Sequence, residues 1–185
     1  MFSSTLPVAD FLVAAYKHFE TDYPKFYKMD RLAQLGFLAA ELLLKGRNLS
    51  ETLGADQVGI VFSNASASLD ADLGYFETVK NIPSPAQFVY TLPNIVIGEI
   101  SIRHRFRGEN AFFISEDFDT GFIQFFVADL FNRQKIKACL FGWVELLDES
   151  YKAVLYLAEL SSNGMMFNTG NINKIYKLTD GQVNG

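Results

Sequence analysis

Apolar residues along this chain fall into two patterns that alternate: short unbroken runs, and stripes spaced three to four residues apart. Residues 8–19, opening Val8-Ala9-Asp10-Phe11-Leu12-Val13-Ala14-Ala15-Tyr16, predict a short amphipathic helix, ended by the turn-like Thr21-Asp22-Tyr23-Pro24. Asp30 is placed to cap a helix through Leu44, with Leu32, Leu35, Leu38, Ala39, Leu42 and Leu43 on one broad face and Gly46 as its stop. Val58–Phe62 is an unbroken apolar run, the pattern of a strand buried on both faces. Ser63 to Ser68 is a small-residue loop, followed by a short helix over Leu69–Lys80. Ser84-Pro85 supplies a cap and first-turn proline for a helix over Ala86–Thr91, and Pro93 breaks the chain before a second helix to about Phe106. Ala111-Phe112-Phe113-Ile114 reads as another buried strand. Asp117 or Asp119 can cap a helix through Phe131 that carries Phe122, Phe125, Phe126, Leu130 and Phe131. Ile136–Val144 and Lys152–Ala158 read as two closing strands joined by Asp148-Glu149-Ser150. From Ser161 the chain is Asn- and Gly-rich, and its pattern is only weakly structured.

Helices alternating with continuous apolar strands predict an α/β fold with a mostly parallel central sheet, helices on its faces and an antiparallel edge pair. The 185 residues fit one domain over 1–160 with a tail over 161–185. Phenylalanine is abundant, at 18 residues, and no stretch approaches the roughly 18 consecutive apolar residues of a membrane span. A net charge of −5 gives no basic face for nucleic acid. The N-terminus lacks the basic and apolar regions of a signal peptide, and the single cysteine, Cys139, fits a reducing cytoplasm, which is the expected location.

The stretch Thr91-Leu92-Pro93-Asn94-Ile95-Val96-Ile97-Gly98-Glu99-Ile100-Ser101-Ile102-Arg103, followed by Ser115-Glu116-Asp117-Phe118-Asp119-Thr120-Gly121, resembles the β-ketoacyl-acyl carrier protein synthase family. In that family a "TLPN…G.ISI" helix leads through a turn to a strand that ends at an "S-T-A-C-A-T/S-G" nucleophile turn. The resemblance runs from about Tyr23 to Glu145. Lys28-Met29-Asp30-Arg31-Leu32 is similar to the "RMDR" helix start, Val58–Phe62 to the "GVVVG" strand, Leu92–Gly108 to the long interface helix, and Lys137–Glu145 to the "DVALAGGVE" strand. It implies a thiolase-like fold, a tandem of two α/β halves, of which this chain matches about one half. The departures are specific. Ser115, Thr120 and Gly121 keep their places, but the catalytic cysteine falls on Phe118, and a phenyl ring cannot become a thiolate. Trp143 stands where the family has a second glycine, and the family's first strand has no counterpart before Tyr23. The second half, with its histidines, lysine and oxyanion turn, is absent, and His18 and His104 match no family histidine.

Phe118 therefore reads either as a ring shaping a substrate pocket or as core filling. Cys139 lies inside the apolar run Ala138–Phe141, where a thiol behaves as a small hydrophobe. Glu116, Asp117 and Asp119 read as helix caps rather than a metal or acid–base cluster. Arg103, Arg105 and Arg107 flank His104 in a basic patch, read mainly as helix-end dipole partners and secondarily as a contact for an acidic carrier protein. Ser66 and Ser68 lack a histidine partner in sequence reach, no phosphate loop, nucleophile elbow or Cys/His metal spacing occurs, and no cofactor or metal is implied. The expected function is a non-catalytic synthase-like partner in fatty-acid or polyketide-type chain assembly. The alternatives are a condensing enzyme with relocated chemistry and a homodimeric acyl-chain or carrier-protein binding module. The expected assembly is a homodimer, or a heterodimer with a full-length synthase, with Ala111, Phe112, Phe113 and Ile114 at its interface.

Overall fold

A computed structural model of the chain describes residues 6–161 and 163–180. In chain order the helices are α1 (Val8–His18), α2 (Arg31–Leu43), α3 (Leu49–Leu53), α4 (Leu69–Val79), α5 (Pro85–Phe88), α6 (Ile95–His104), α7 (Thr120–Asn132) and α8 (Thr169–Asp180). The strands are β1 (Val58–Asn64), β2 (Asn110–Ile114), β3 (Ala138–Leu147) and β4 (Ser150–Glu159). They form one sheet in the order β2-β1-β3-β4, in which β1 runs parallel to both neighbours and β4 antiparallel to β3. The α/β class, the mostly parallel sheet and the antiparallel edge pair all agree with the sequence pattern.

Every residue of β1 is buried, as are Ala138–Val144 of β3, because helices cover both faces of the sheet. On one face α1, α2 and α6 pack over Ile60, Phe62, Leu140 and Val144. On the other, α7 and α8 pack over Val61, Phe141, Trp143 and Tyr156. The sheet is kept regular by one close approach: Gly142 has φ 153, and a Cβ there would run into the Val154 carbonyl of β4.

The element with the fullest set of local signals is α2. Asp30 caps it with both carboxylate oxygens, accepting from Leu32 N at 3.2 Å and Ala33 N at 3.1 Å. Gly46 follows its end with φ 76. Its buried arc is wider than the sequence stripe and turned relative to it: Ala33, Phe37 and Ala40 are buried, while Leu42 is 42% exposed. The cause is that α2 is wedged between the sheet and α6, so residues on opposite sides of the helix both lose water. Gly36 makes this possible, since a Cβ there would collide with Val96 of α6 and lie 3.3 Å from Val144 of β3.

Polar ties fix the surrounding pieces. Arg31 donates to Asp70 of α4 (Nε, 3.0 Å), and the same carboxylate accepts from Asp148 N in the β3–β4 turn at 3.0 Å. Glu149 of that turn accepts from Val8 N at 2.8 Å, which anchors the start of α1. The buried Glu99 of α6 is met by Lys25 Nζ at 2.8 Å and by the Tyr90 hydroxyl at 3.2 Å.

Beyond the α2 stripe, three further sequence expectations need correction. Ala111–Ile114 is not a buried strand: β2 is a sheet edge, with residues 111–113 half-buried and Ile114 53% exposed. The α7 stripe is also different, because Ile123, Val127 and Leu130 face the core while Phe125 is 69% exposed. The Asn-rich tail forms α8, capped by Asn168, whose side-chain Oδ1 accepts from Asn171 N at 2.9 Å. Its Ile172 is buried. Of the two candidate caps for α7, Asp119 is the one used, accepting from Phe122 N at 2.8 Å. Among the described residues no strand precedes β1, and no helix is long and apolar enough to cross a membrane.

Two measurements test this packing. Gly36→Ala is expected to lower stability by about 1–3 kcal/mol through overpacking. Gly74→Ala, in α4 with open space around it, is expected to raise stability by about 0.5–1 kcal/mol. Equal effects in denaturant unfolding would contradict the wedge. The second test concerns pH. Burial pushes the Asp30 carboxyl up to about 6, against the lowering effect of its two backbone hydrogen bonds. A raised carboxylate pKa means that the folded state holds the proton longer, so stability falls as pH rises from about 4 to about 6. In Asp30→Asn that decline is expected to flatten; an unchanged slope would show that Asp30 is not its source.

Candidate functional site

The turn between β2 and α7 is built from local hydrogen bonds. Ser115 Oγ donates to the Asp117 carbonyl at 2.7 Å, and Asp119 caps α7. Phe118 immediately precedes that cap, so its backbone sits at the positive end of a 13-residue helix, a position that would favour an anionic side chain. What stands there is a ring, 7% exposed, packed with Tyr176 at 5.1 Å, Trp143 at 6.1 Å and Tyr156 at 6.2 Å between centroids. The ring is buried among aromatic neighbours, which both readings of Phe118 require. Trp143 is accommodated within the same aromatic group, its indole packed against that ring.

The space in front of the turn is closed by α8. Thr120 Oγ1 donates to Asn173 Oδ1 at 3.0 Å, the Tyr156 hydroxyl donates to the Ile172 carbonyl at 3.1 Å, and Tyr176 packs on Phe118. Sequence reasoning missed these α8 residues as part of the site. The spacing of Ile172, Ile175 and Tyr176 behind an Asn168 cap was the available signal, diluted by the polar composition around it. A second missed residue is Glu145, whose Oε2 accepts from Ala65 N and Ser66 N and holds the loop after β1.

Among the described residues no thiol stands at the turn, and the hydroxyl of Ser115 is engaged by the Asp117 carbonyl. Cys139 is fully buried in β3, and burial pushes its thiol far above the ordinary range. Ser68 is committed to the Thr91 carbonyl at 2.9 Å. Among the described residues no group of three His, Cys, Asp or Glu side chains is arranged to hold a metal. The basic patch is largely tied down. Arg103 pairs with Glu41 (3.0 and 3.2 Å) and lies over the Tyr23 ring, while His104 Nε2 is 2.8 Å from Glu41. Burial alone would raise the Glu41 carboxyl, but the hydrogen bonds from His104 and Arg103 hold it below its usual range. Arg107 pairs with Asp56 at 3.1 Å, and Arg105 is exposed as the left-handed cap of α6.

Against this closed interior stands an apolar exterior. No residue of α4 is buried. Its Leu73 and Phe76 are 56% and 63% exposed, continuing into Ile82 at 85% and Phe88 at 58%. A second exposed group borders the β2 edge, where Phe113 packs edge-on against Phe122 at 4.8 Å and Phe126 at 5.0 Å, with Ile114 and Phe125 open to solvent. Contiguous apolar surface of this kind marks association sites more often than it occurs on a monomer.

Phe118→Ala is expected to cost about 3–5 kcal/mol, the range for emptying a buried aromatic site. Cys139 is expected to resist a water-soluble thiol reagent until the protein is unfolded. Rapid labelling of the native protein would refute the burial assigned to it, and a Phe118→Ala change of under about 1 kcal/mol would refute the packing role.

No protein-family model matches the chain, and no curated protein matches it. Among solved structures it is similar to the ishigamide ketosynthase/chain length factor, with a TM-score of 0.56 and 20% identity over 66% of this chain and 36% of that chain. It is also similar to a ketosynthase (ApeO) in complex with its chain length factor (ApeC) from Xenorhabdus doucetiae, with a TM-score of 0.48 and 15% identity over 78% of this chain and 52% of that one. The chain thus spans about a third of the first and about half of the second. The first of these likenesses shows the fold: an α/β layer arranged as in part of that ketosynthase/chain length factor.

Proposed function

We propose that this protein is a non-catalytic subunit that pairs with a ketosynthase in fatty-acid or polyketide-type chain assembly. The observation that carries the proposal is the turn at Phe118: a ketosynthase-type fold in which the helix N-terminus that could activate a thiol holds a buried phenyl ring instead. The covalent step of a condensing enzyme has no nucleophile there, and the one thiol in the chain, Cys139, is sealed in the sheet. Relocated chemistry therefore finds no support among the described residues. The fold likeness to a ketosynthase/chain length factor supplies the class of partner.

The apolar exterior supports the partnership. β2 offers an open edge with Ala111, Phe112, Phe113 and Ile114, and the neighbouring aromatic surface needs cover. In this reading the partner adds its own strand along β2 and buries Ile114 and Phe125. An acidic carrier protein, if it touches this subunit, meets Arg105 first, because Arg103 and Arg107 are already paired with carboxylates.

The test is co-expression of the tagged chain with a full-length ketosynthase from the same source. Stable co-purification is expected, and Phe113→Lys is expected to abolish it by placing a charge on the edge. Incubation with acyl carrier protein donors should leave the intact mass of the chain unchanged, and Phe118→Cys should not gain condensing activity alone. An acyl adduct on Cys139, or co-purification untouched by Phe113→Lys, would overturn the proposal.

A further inference from the structure

The opposite edge of the sheet carries an inference that is independent of the ketosynthase partnership. β4 runs without a bulge, in constant register with β3 from Ala138–Glu159 to Leu147–Ser150. Leu160 N donates inward to the Lys137 carbonyl at 3.2 Å, so even-numbered residues direct their backbone groups at β3. By the same alternation Ala153, Leu155 and Leu157 direct theirs outward. Among the described residues no strand pairs with that outer edge.

Natural proteins blunt an open edge with charges, proline, bulges, short strands or a covering segment. From Ala153 to Ala158 this strand has neither charge nor proline. Beside it lies a cleft of about 770 Å³ lined by Leu155, Leu157, Met166, Phe167 and Ile172. Exposed apolar side chains sit at both ends of the strand: Tyr151 is 38% exposed at its start, and Leu160 and Met166 are 71% and 76% exposed beyond its finish.

We propose that the β4 edge is a second association surface, occupied by β4 of another copy of this chain in antiparallel, two-fold pairing. Outward-facing residues must meet outward-facing residues, so the pairing sets odd numbers opposite odd numbers. Centred on Leu155, it places Leu155 opposite its own counterpart, Ala153 opposite Leu157, and Tyr151 opposite Glu159. The central five residues then exchange about six main-chain hydrogen bonds. No like charges face each other, and Glu159 already carries Arg47 at 2.7 Å as counter-charge. The two-fold also brings the Tyr151 end of one strand to the Leu160 end of the other, so the exposed apolar groups at the two ends cover one another. A foreign extended peptide could make the main-chain bonds but would not supply both ends, which is why a second copy is the fitting occupant.

The experiment uses the full chain carrying Phe113→Lys, which removes the β2 edge from consideration, and a spin label on Ser150→Cys, an exposed position at the strand's start. Two-fold pairing about Leu155 separates the two labelled positions by ten residue steps of about 3.4 Å, or about 34 Å, before the label tethers are added. Amide exchange at Leu155 and Leu157 should slow at least about tenfold between about 1 μM and about 100 μM protein, as mass action fills the edge. Ala153→Pro, which deletes one outward N–H and leaves the β3 ladder intact, should weaken dimerisation at least about tenfold. A monomer at about 100 μM, a dimer with label separation more than about 10 Å from that value, or exchange at Leu155 and Leu157 independent of concentration would overturn the proposal. Because co-purification with a ketosynthase is read separately at β2, a negative result at one edge does not bear on the other.

Discussion

Burial of the sheet on both faces is the constraint on which the rest of this structure depends. Val58–Phe62 of β1 and Ala138–Val144 of β3 are apolar and buried, so neither face of the sheet can be left to water. One layer must supply α2 and α6 and the other α7 and α8. The first layer is tight enough that α2 touches both the sheet and α6, which only a glycine at position 36 permits. The caps and ion pairs at the ends of these helices then orient loops that are already fixed in position by packing.

The same constraint explains the fate of the turn at Phe118. A strand-to-helix turn at the end of a parallel sheet presents its first helical residues to whatever lies beyond the strand ends. Here that space belongs to α8 and to a group of aromatic rings. Phe118, Trp143, Tyr156 and Tyr176 fill together what a catalytic site would keep open. A phenyl ring at 118 and a filled space go together: a buried ring needs neighbours, and α8 provides them.

Burying both faces leaves the apolar surplus at the edges. The two outer strands differ in length and in their surroundings. β2 is five residues long and flanked by exposed phenylalanines, whereas β4 is ten residues long, regular, and bordered by aliphatic and methionine side chains. The α4–α5 segment adds a third apolar surface with no buried residue of its own.

Much of this was legible in the residues alone. The alternation of unbroken and spaced apolar runs determined the α/β class, and the short Asp148–Ser150 link determined the antiparallel closing pair. Asp30 and Gly46 bounded α2, and the residue at 118 excluded a thiolate, because caps, breakers and missing functional groups are local facts. Which strand becomes an edge is not local. Ala111–Ile114 and Val58–Phe62 have similar apolar patterns, yet one is half-exposed and the other wholly buried, since strand order is decided by pairings between distant segments. For the same reason the burial of Ile123 rather than Phe125 and the docking of Ile172 and Tyr176 over Phe118 emerged only in the folded chain. A side chain's surroundings are set by the partner its element finds, and sequence periodicity reports only which face is able to seek one.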